Sequence, residues 1–303
     1  MGIEEVLSQG RISRFFRSTR KLNNAQLVSH ITQRAAGREP LFIEDKDYIF
    51  MLGLLKELAP RASLTFYAFC LMPNHIHLLL TPQKDNLFDA MRDLFSGYAR
   101  YFNRKYERKG HLFGGPYRQS VCFDEKYLLA ASIYIHVNPV RVGLVSNPFR
   151  YRWSSSRLYG DKQSPASFVD SSFILNLIAE DINEAKRAYK NLMDQAAGLE
   201  TGEVLEGESA IDQLLDKLKS IIPNFWERIR FGRLKNPTDL ELLDEEALAR
   251  KIEQLNQREG RDIAESRQAR KFVIEQLIAR GFKRIEIAAR LGVSIKTIYN
   301  YLD

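Results

Sequence analysis

The stretch that decides the fold is residues 64–81, LTFYAFCLMPNHIHLLLT. Residues 64–72 form an aromatic and apolar run, Pro73-Asn74 interrupts it, and residues 75–81 resume the extended apolar pattern. Two such runs separated by two turn-forming residues predict a β-hairpin. Because side chains alternate between the two faces of a strand, His75 and His77 are expected to project to the same side.

The sequence around this hairpin alternates between strand and helix patterns. Apolar spacing predicts strands over 25–33 and 117–123 and helices over 45–58, 87–106 and 125–137, the last ending at Asn138-Pro139. Antiparallel strands mixed with helices place this part of the chain in the α+β class.

Charge and composition divide the 303 residues into four predicted segments. They are a basic N-terminal arm (1–20), an α+β domain (21–160), a helical acidic connecting region (161–250) and a C-terminal domain (251–303). Residues 1–160 carry 23 Lys and Arg against 13 Asp and Glu, residues 161–250 carry 11 against 18, and residues 251–303 carry 11 against 7. Two basic regions therefore flank an acidic one.

The bulk properties exclude several classes of protein. The net charge is +7 with a pI near 9.3, which favours an anionic partner such as nucleic acid. The two cysteines, Cys70 and Cys122, cannot build a disulfide framework or a four-thiolate zinc site. No signal peptide or membrane-spanning run stands out, so we expect a cytoplasmic protein that does not bind membranes.

Two short patterns carry chemistry. His75 and His77 can ligate one metal ion, because both lie on one face of a strand. The alternative is that they are packing histidines in the core or at its rim and bind no metal. Tyr134 and Asn138 lie at i and i+4 on one face of a helix. A tyrosine beside a metal-bound phosphate can attack phosphorus, whereas an isolated tyrosine usually serves packing.

Taken together, these patterns resemble a known family. The sequence PNHIH at 73–77, followed by a basic helix and then by Tyr134-x-x-x-Asn138-Pro139, resembles the single-tyrosine transposases of the HUH superfamily. The flanking sequences YAFCLM (67–72), NPVRVGLV (138–145) and WSSS (153–156) resemble the REP-associated and insertion-sequence branches. The resemblance runs from about residue 26 to residue 159.

The resemblance implies a ferredoxin-like catalytic domain built on an antiparallel sheet. It implies that His75, His77 and Asn138 ligate a divalent metal, Mg²⁺ or Mn²⁺. It also implies that Tyr134 attacks single-stranded or hairpin DNA, leaving a 5′-phosphotyrosine and a free 3′-hydroxyl. Monomer and homodimer both stay open.

Basic residues supply candidate DNA contacts. Arg100, Arg104, Lys105 and Arg108 gather on one side of the helix predicted over 87–106 and just beyond it, and Arg118 and Arg141 lie closer to the site motifs in sequence. Such residues could follow a DNA backbone, because phosphate contacts supply most sequence-independent affinity. A solvated helix face is the alternative.

The C-terminal residues 282–302, FKRIEIAARLGVSIKTIYNYL, have helix-turn-helix spacing. Small Ala288, turn residue Gly292 and an apolar packing set of Ile287, Leu291, Val293 and Ile298 fit that motif. Ser294 would cap the second helix, whose exposed face would offer Ile295, Lys296, Thr297, Tyr299 and Asn300 to duplex DNA. A helical hairpin used for protein contacts is the alternative.

Three other functions compete with a transposase. A nicking role like that of replication initiators or relaxases is the nearest, although the tyrosine of relaxases precedes the histidines and Tyr134 follows them. A domesticated DNA-binding regulator would keep the fold without cleaving. A metal-dependent hydrolase would activate water and make Tyr134 dispensable.

Overall fold

The computed structural model describes residues 15–16, 21, 23, 25–37, 39–122, 125–161, 166–199, 210–229, 245–257, 263–279 and 284–302. They fall into two compact units: Phe16–Lys235, and Phe15 together with the described residues from 236 onwards. Residues 166–199 and 210–229, which the sequence assigns to a connecting region, belong to the same compact unit as the sheet. The predicted boundaries at 20, 160 and 250 stay predictions.

The larger unit is an α+β structure around one sheet, as the sequence predicts. Its strands are β1 (Phe15–Phe16), β2 (Ser29–Arg34), β3 (Leu64–Met72), β4 (His75–Pro82) and β5 (Arg118–Val121), in the order β1-β5-β2-β4-β3. The pairs β2–β4, β2–β5 and β3–β4 are antiparallel. Every residue of the central strand β4 is buried, so both of its faces are covered.

The β3–β4 hairpin matches the prediction closely. Met72 pairs with His75 across the Pro73-Asn74 turn, and Cys70 pairs with His77. A register shift between Phe66 and Ala68 marks a β-bulge farther along β3. The turn fixes His75 as the first residue of β4, which sets the face on which both imidazoles lie.

Three long helices accompany the sheet: α1 (Asp45–Arg61), α2 (Leu87–Lys105) and α3 (Glu125–Arg141). A capping box between Glu44 and Asp47 starts α1, which packs on β3 and α2. Helix α3 packs on β3 and β4 and has 14 of its 17 residues buried. A helix covered on all sides in this way is held firmly in position.

Helix α3 extends beyond its predicted end. The sequence analysis places the end at Asn138-Pro139, but the helix continues to Arg141. Gly143 (φ +73°) ends it in a Schellman motif, with Leu144 N–H donating to Pro139 O and Gly143 N–H to Val140 O. The prediction was wrong because a proline in the last turn removes only one hydrogen bond, and the glycine after the helix was the stop signal.

The remaining helices of this unit pack around α3. They are a 3₁₀ turn (Pro148–Arg150), α4 (Arg157–Gly160), α5 (Ser171–Ile178), α6 (Ile182–Ala197), α7 (Ala210–Ile221) and α8 (Pro223–Glu227). Helices α5, α6 and α7 contact α3 directly. His136 of α3 joins this core, with hydrogen bonds from its ring to Tyr189 Oη and Ser155 Oγ, each 2.8 Å long.

The smaller unit has four described helices: α9 (Glu245–Gln257), α10 (Ile263–Ala279), α11 (Arg284–Arg290) and α12 (Ile295–Leu302). Its core includes Ile287, Leu291 and Ile298 from the predicted packing set, with Val293 partly buried against them. Gly292 (φ +61°) makes the turn between α11 and α12, and Ser294 Oγ accepts a hydrogen bond of 3.0 Å from Thr297 N. Of the helices in the described part of the chain, none combines the length and hydropathy needed to cross a membrane.

Candidate active site

The structure brings the two predicted chemical patterns together. The His75 and His77 rings lie edge to face with their centroids 4.8 Å apart on β4. The Tyr134 ring of α3 packs against His77, with 5.7 Å between the centroids. One helical turn later, Asn138 Nδ2 donates to Tyr134 O over 2.9 Å, so its Oδ1 is the amide atom left for another partner.

The hydrogen bonds at Nδ1 of the two imidazoles bear on which nitrogen of each carries the lone pair. His75 Nδ1 lies 2.7 Å from Asn74 Oδ1 and must donate to it, which leaves Nε2 as the lone-pair atom. His77 Nδ1 lies 2.9 Å from His30 Nε2 and 3.3 Å from Thr32 Oγ1. Within the described part of the chain, His77 Nε2 is buried and has no hydrogen-bond partner.

Burial favours the neutral form of the His77 and His30 imidazoles. Burial lowers the pKa of His77 well below its ordinary value, and the neighbouring His75, His30 and Arg34 lower it further. Burial, followed by the effect of His75, lowers the pKa of His30 to about 3. Neutral imidazoles retain the lone pairs that a metal ion requires.

The candidate donor set combines two imidazole nitrogens with one amide oxygen, which are atom types that bind metal ions. Among the described residues, no group of three or more His, Cys, Asp or Glu side chains could hold one. The predicted set does not need such a group, because its third member is the amide oxygen of Asn138. The partnerless Nε2 of His77 is an observation that favours a ligand, since a buried polar atom without a partner costs free energy.

Sequence analysis missed the supporting residues His30, Thr32 and Asn74. His30 and Thr32 lie on β2, where Thr32 pairs directly with His77. They orient the His77 ring in the way that outer hydrogen bonds orient metal-ligating histidines. The spacing His30-x-Thr32 puts both on one strand face, but only the β2–β4 register reveals which residues they meet.

The predicted DNA-contacting arginines and lysine of α2 are in different environments. Arg100 and Arg104 are exposed and line a groove of about 1150 Å³ between α2 and the loop 110–117, together with Phe95, Phe113 and Tyr117. Lys105 instead bonds to Asp47 and Glu44 at 2.5 and 2.6 Å, and Arg108 pairs with Glu39. The charges of Lys105 and Arg108 are therefore already neutralised.

The other predicted basic residues lie at different distances from the site. Arg118 pairs with Thr32 across β5 and β2, so it shares a sheet face with Thr32 and His77. Arg141, in the last turn of α3, places its guanidinium carbon 5.9 Å from the centre of the Tyr134 ring. The predicted residues of α12, among them exposed Ile295, Lys296, Tyr299 and Asn300, belong to the smaller unit.

Part of the α+β region matches a known family model. Residues 23–138 match the family model described as "Transposase IS200 like". Over these residues the chain is similar to that family. The matched segment contains all four predicted site residues, from His75 to Asn138.

A solved structure and the curated proteins complete the comparison. A solved structure of a REP-associated tyrosine transposase bound to a REP hairpin aligns with 51% of this chain and 94% of its own, at 14% identity and a TM-score of 0.42. No curated protein gives a significant sequence match.

Proposed function

We propose that the chain is a transposase that cuts and rejoins single-stranded DNA through a covalent bond to Tyr134. The observation that carries the proposal is the contact between His77 and Tyr134, in which a buried imidazole has its Nε2 without a partner. If His77 served only to pack the core, burial of a ring nitrogen without a hydrogen-bond partner would cost free energy and bring no benefit. A phosphate and a metal ion between these groups would satisfy it.

The metal ligands follow from the hydrogen bonds. His75 Nε2, His77 Nε2 and Asn138 Oδ1 would hold the ion, and the bonds to Asn74, His30 and Thr32 would fix the ring orientations. When bound, Mg²⁺ or Mn²⁺ would neutralise charge that develops on the phosphate. The resemblance suggests these two ions, and a nitrogen-rich pair of ligands favours Mn²⁺ over Mg²⁺.

The reaction requires one bond to form as another breaks. The Tyr134 phenol oxygen loses its proton to solvent and attacks phosphorus, and the bond from phosphorus to the 3′ oxygen breaks. The 3′ oxygen leaves as a hydroxyl after taking up a proton, while the 5′ side stays on the tyrosine. Attack by a 3′-hydroxyl on this phosphotyrosine rejoins DNA and regenerates Tyr134.

A cleavage assay tests the proposal. Labelled single-stranded hairpins that carry element end sequences are incubated with wild type, Tyr134→Phe and Tyr117→Phe in Mg²⁺, Mn²⁺ or EDTA. Tyr117 is the matched control, because its buried hydroxyl has no hydrogen-bond partner in the described residues. We expect a metal-dependent protein–DNA adduct from wild type and Tyr117→Phe and none from Tyr134→Phe.

Two other outcomes would replace the proposal. Binding without any adduct would favour the domesticated regulator. Free cleaved product that survives Tyr134→Phe would favour metal-activated water and remove the covalent step.

The smaller unit extends the proposal to duplex DNA. Helices α11 and α12 meet through a buried set around a Gly292 turn, and Lys296, Tyr299 and Asn300 are exposed on α12. This arrangement suits a recognition helix in a major groove. A second copy of the chain is a further candidate partner, which light scattering of the DNA complex would test.

A further inference from the structure

The Arg141 guanidinium forms no hydrogen bond within the described part of the chain. Its Nε, Nη1 and Nη2 atoms are all buried and have no hydrogen-bond partner in the described part of the chain. Burial lowers the pKa of Arg141, whereas the nearby Tyr134 raises it, and a guanidinium remains protonated in proteins. A buried cation without a partner is costly, so some anion is expected to meet it.

The position of Arg141 indicates which anion. Tyr134, Asn138 and Arg141 are spaced i, i+4 and i+7, which places them in one stripe along α3. The guanidinium carbon lies 5.9 Å from the centre of the Tyr134 ring. The Schellman motif at Gly143 keeps Arg141 within the helix, and the packing of α3 fixes the whole stripe.

A purely structural arginine at this position would bond differently. In the last turn of a helix, arginine commonly donates to the free carbonyl groups or forms an ion pair. Arg141 does neither within the described residues. Its planar fork of donors matches the geometry of phosphate oxygens, which it can bind with two parallel hydrogen bonds.

We propose that Arg141 binds the non-bridging oxygens of the phosphate that Tyr134 attacks, and keeps hold of them in the phosphotyrosine state. The proposal rests on the proposed function, since it needs a DNA phosphate at Tyr134. It assigns two cationic groups to that phosphate: the ion held by His75, His77 and Asn138, and the Arg141 guanidinium. Donors fixed in advance around a reacting phosphate stabilise the charge of the transition state.

The test compares Arg141→Met, Arg141→Lys and the control Arg150→Met, whose arginine is exposed on the 3₁₀ turn. We expect Arg141→Met to lower the rate of adduct formation by about 100-fold or more, because loss of one such donor has that effect elsewhere. Its melting temperature should equal or exceed that of wild type, because the buried guanidinium makes no hydrogen bond within the described residues. Arg141→Lys should recover part of the rate, and Arg150→Met should behave as wild type.

Either of two results would overturn the proposal. One is an adduct rate for Arg141→Met within about threefold of wild type, which is the loss expected of a minor backbone contact. The other is a lower melting temperature for both Arg141 variants, together with equal loss of rate in Arg141→Lys and Arg141→Met. That combination would give the side chain a structural role.

A second measurement does not depend on cleavage. In ¹⁵N-labelled Tyr134→Phe protein, the Arg141 side-chain Nε–H signal, assigned by its loss in Arg141→Lys, is followed as a single-stranded oligonucleotide is added. If the signal shifts but wild type forms no adduct, the Arg141–phosphate contact is supported and the covalent mechanism is contradicted. If wild type forms an adduct but the signal does not shift, the covalent mechanism is supported and the Arg141–phosphate contact is contradicted.

Discussion

Nδ1 of His77 lies 2.9 Å from Nε2 of His30, so two buried imidazoles on neighbouring strands share one hydrogen bond. If His77 Nδ1 is the donor, the lone pair of that ring lies on Nε2, which has no hydrogen-bond partner among the described residues. His30 is therefore a candidate positioning residue.

Replacing His30 tests this positioning role. We expect His30→Phe to weaken Mn²⁺ binding by about 10- to 100-fold, because outer hydrogen bonds contribute that much to metal sites. Isothermal titration with Mn²⁺ measures the affinity. His136→Gln is the matched control, since His136 is equally buried but bonds to Tyr189 and Ser155 instead. Unchanged Mn²⁺ affinity in His30→Phe would contradict the assignment.

His136 predicts a pH dependence of stability. Burial lowers its pKa to about 3, whereas in the unfolded chain it titrates near 6.5. As the pH falls below 6.5, His136 becomes protonated in the unfolded chain but stays neutral in the folded protein. The free energy of unfolding therefore decreases. The slope is about 1.4 kcal/mol per pH unit for each such histidine, and it ends near the folded pKa.

Urea unfolding between about pH 7 and pH 5, with EDTA present, measures this slope where most carboxyl groups stay ionised. His136→Gln should have a lower starting stability and a shallower slope than wild type. Parallel curves for the two proteins would show that His136 accepts a proton in the folded state.

Lys105 and Arg104 are neighbours in sequence with opposite expected roles. Asp47, which Lys105 pairs with, is fully buried, and burial raises its pKa while Lys105 and Tyr106 lower it to a net value below the ordinary one. Lys105→Met should therefore reduce the free energy of unfolding by about 2 to 4 kcal/mol, because it leaves a buried carboxylate without its cation. It should leave DNA affinity unchanged at a temperature where the protein is folded.

Arg104→Met should show the reverse pattern. Arg104 is exposed, and stability should change by no more than about 0.5 kcal/mol. The slope of log affinity against log salt for single-stranded DNA should fall by about 0.7, the share of one phosphate contact. Fluorescence anisotropy at several salt concentrations measures it, and an unchanged slope would remove Arg104 from the DNA surface.

Lys296 tests the smaller unit. It is exposed on α12, so Lys296→Gln should lower duplex affinity and reduce the salt slope by about 0.9. Adduct formation on single-stranded hairpins should not change. Lys190→Gln, an exposed lysine on α6, is the control. Equal duplex affinity in both variants would favour a protein-contact role for these helices.

Local patterns were sufficient to predict the hairpin and which candidate site residues share a face. Pro73-Asn74 separates two apolar runs, and strand alternation then places His75 and His77 on one face. This placement does not depend on contacts with the rest of the fold. Tyr134 and Asn138 share a helix face for the same local reason. The α+β class followed from these elements.

Contacts between distant residues were not predictable in this way. His30 reaches His77 only through the β2–β4 register, and Lys105 finds Asp47 across 58 residues of sequence. Nothing in the basic pattern of α2 distinguishes Lys105 from Arg104. The unpartnered state of Arg141 likewise depends on what surrounds the end of α3 rather than on any local motif.

Strand β4 has hydrogen-bonded neighbours on both sides, β2 and β3. Its side chains therefore alternate strictly between the two faces. One residue inserted between the turn and His75 would move both imidazoles to the opposite face and bring Ile76 and Leu78 to the side of Tyr134. Natural relatives should therefore tolerate many substitutions in this hairpin but very few changes of odd length. A relative with a gap of odd length inside β4 should therefore be unable to present both imidazoles toward Tyr134, even if both histidines are still present.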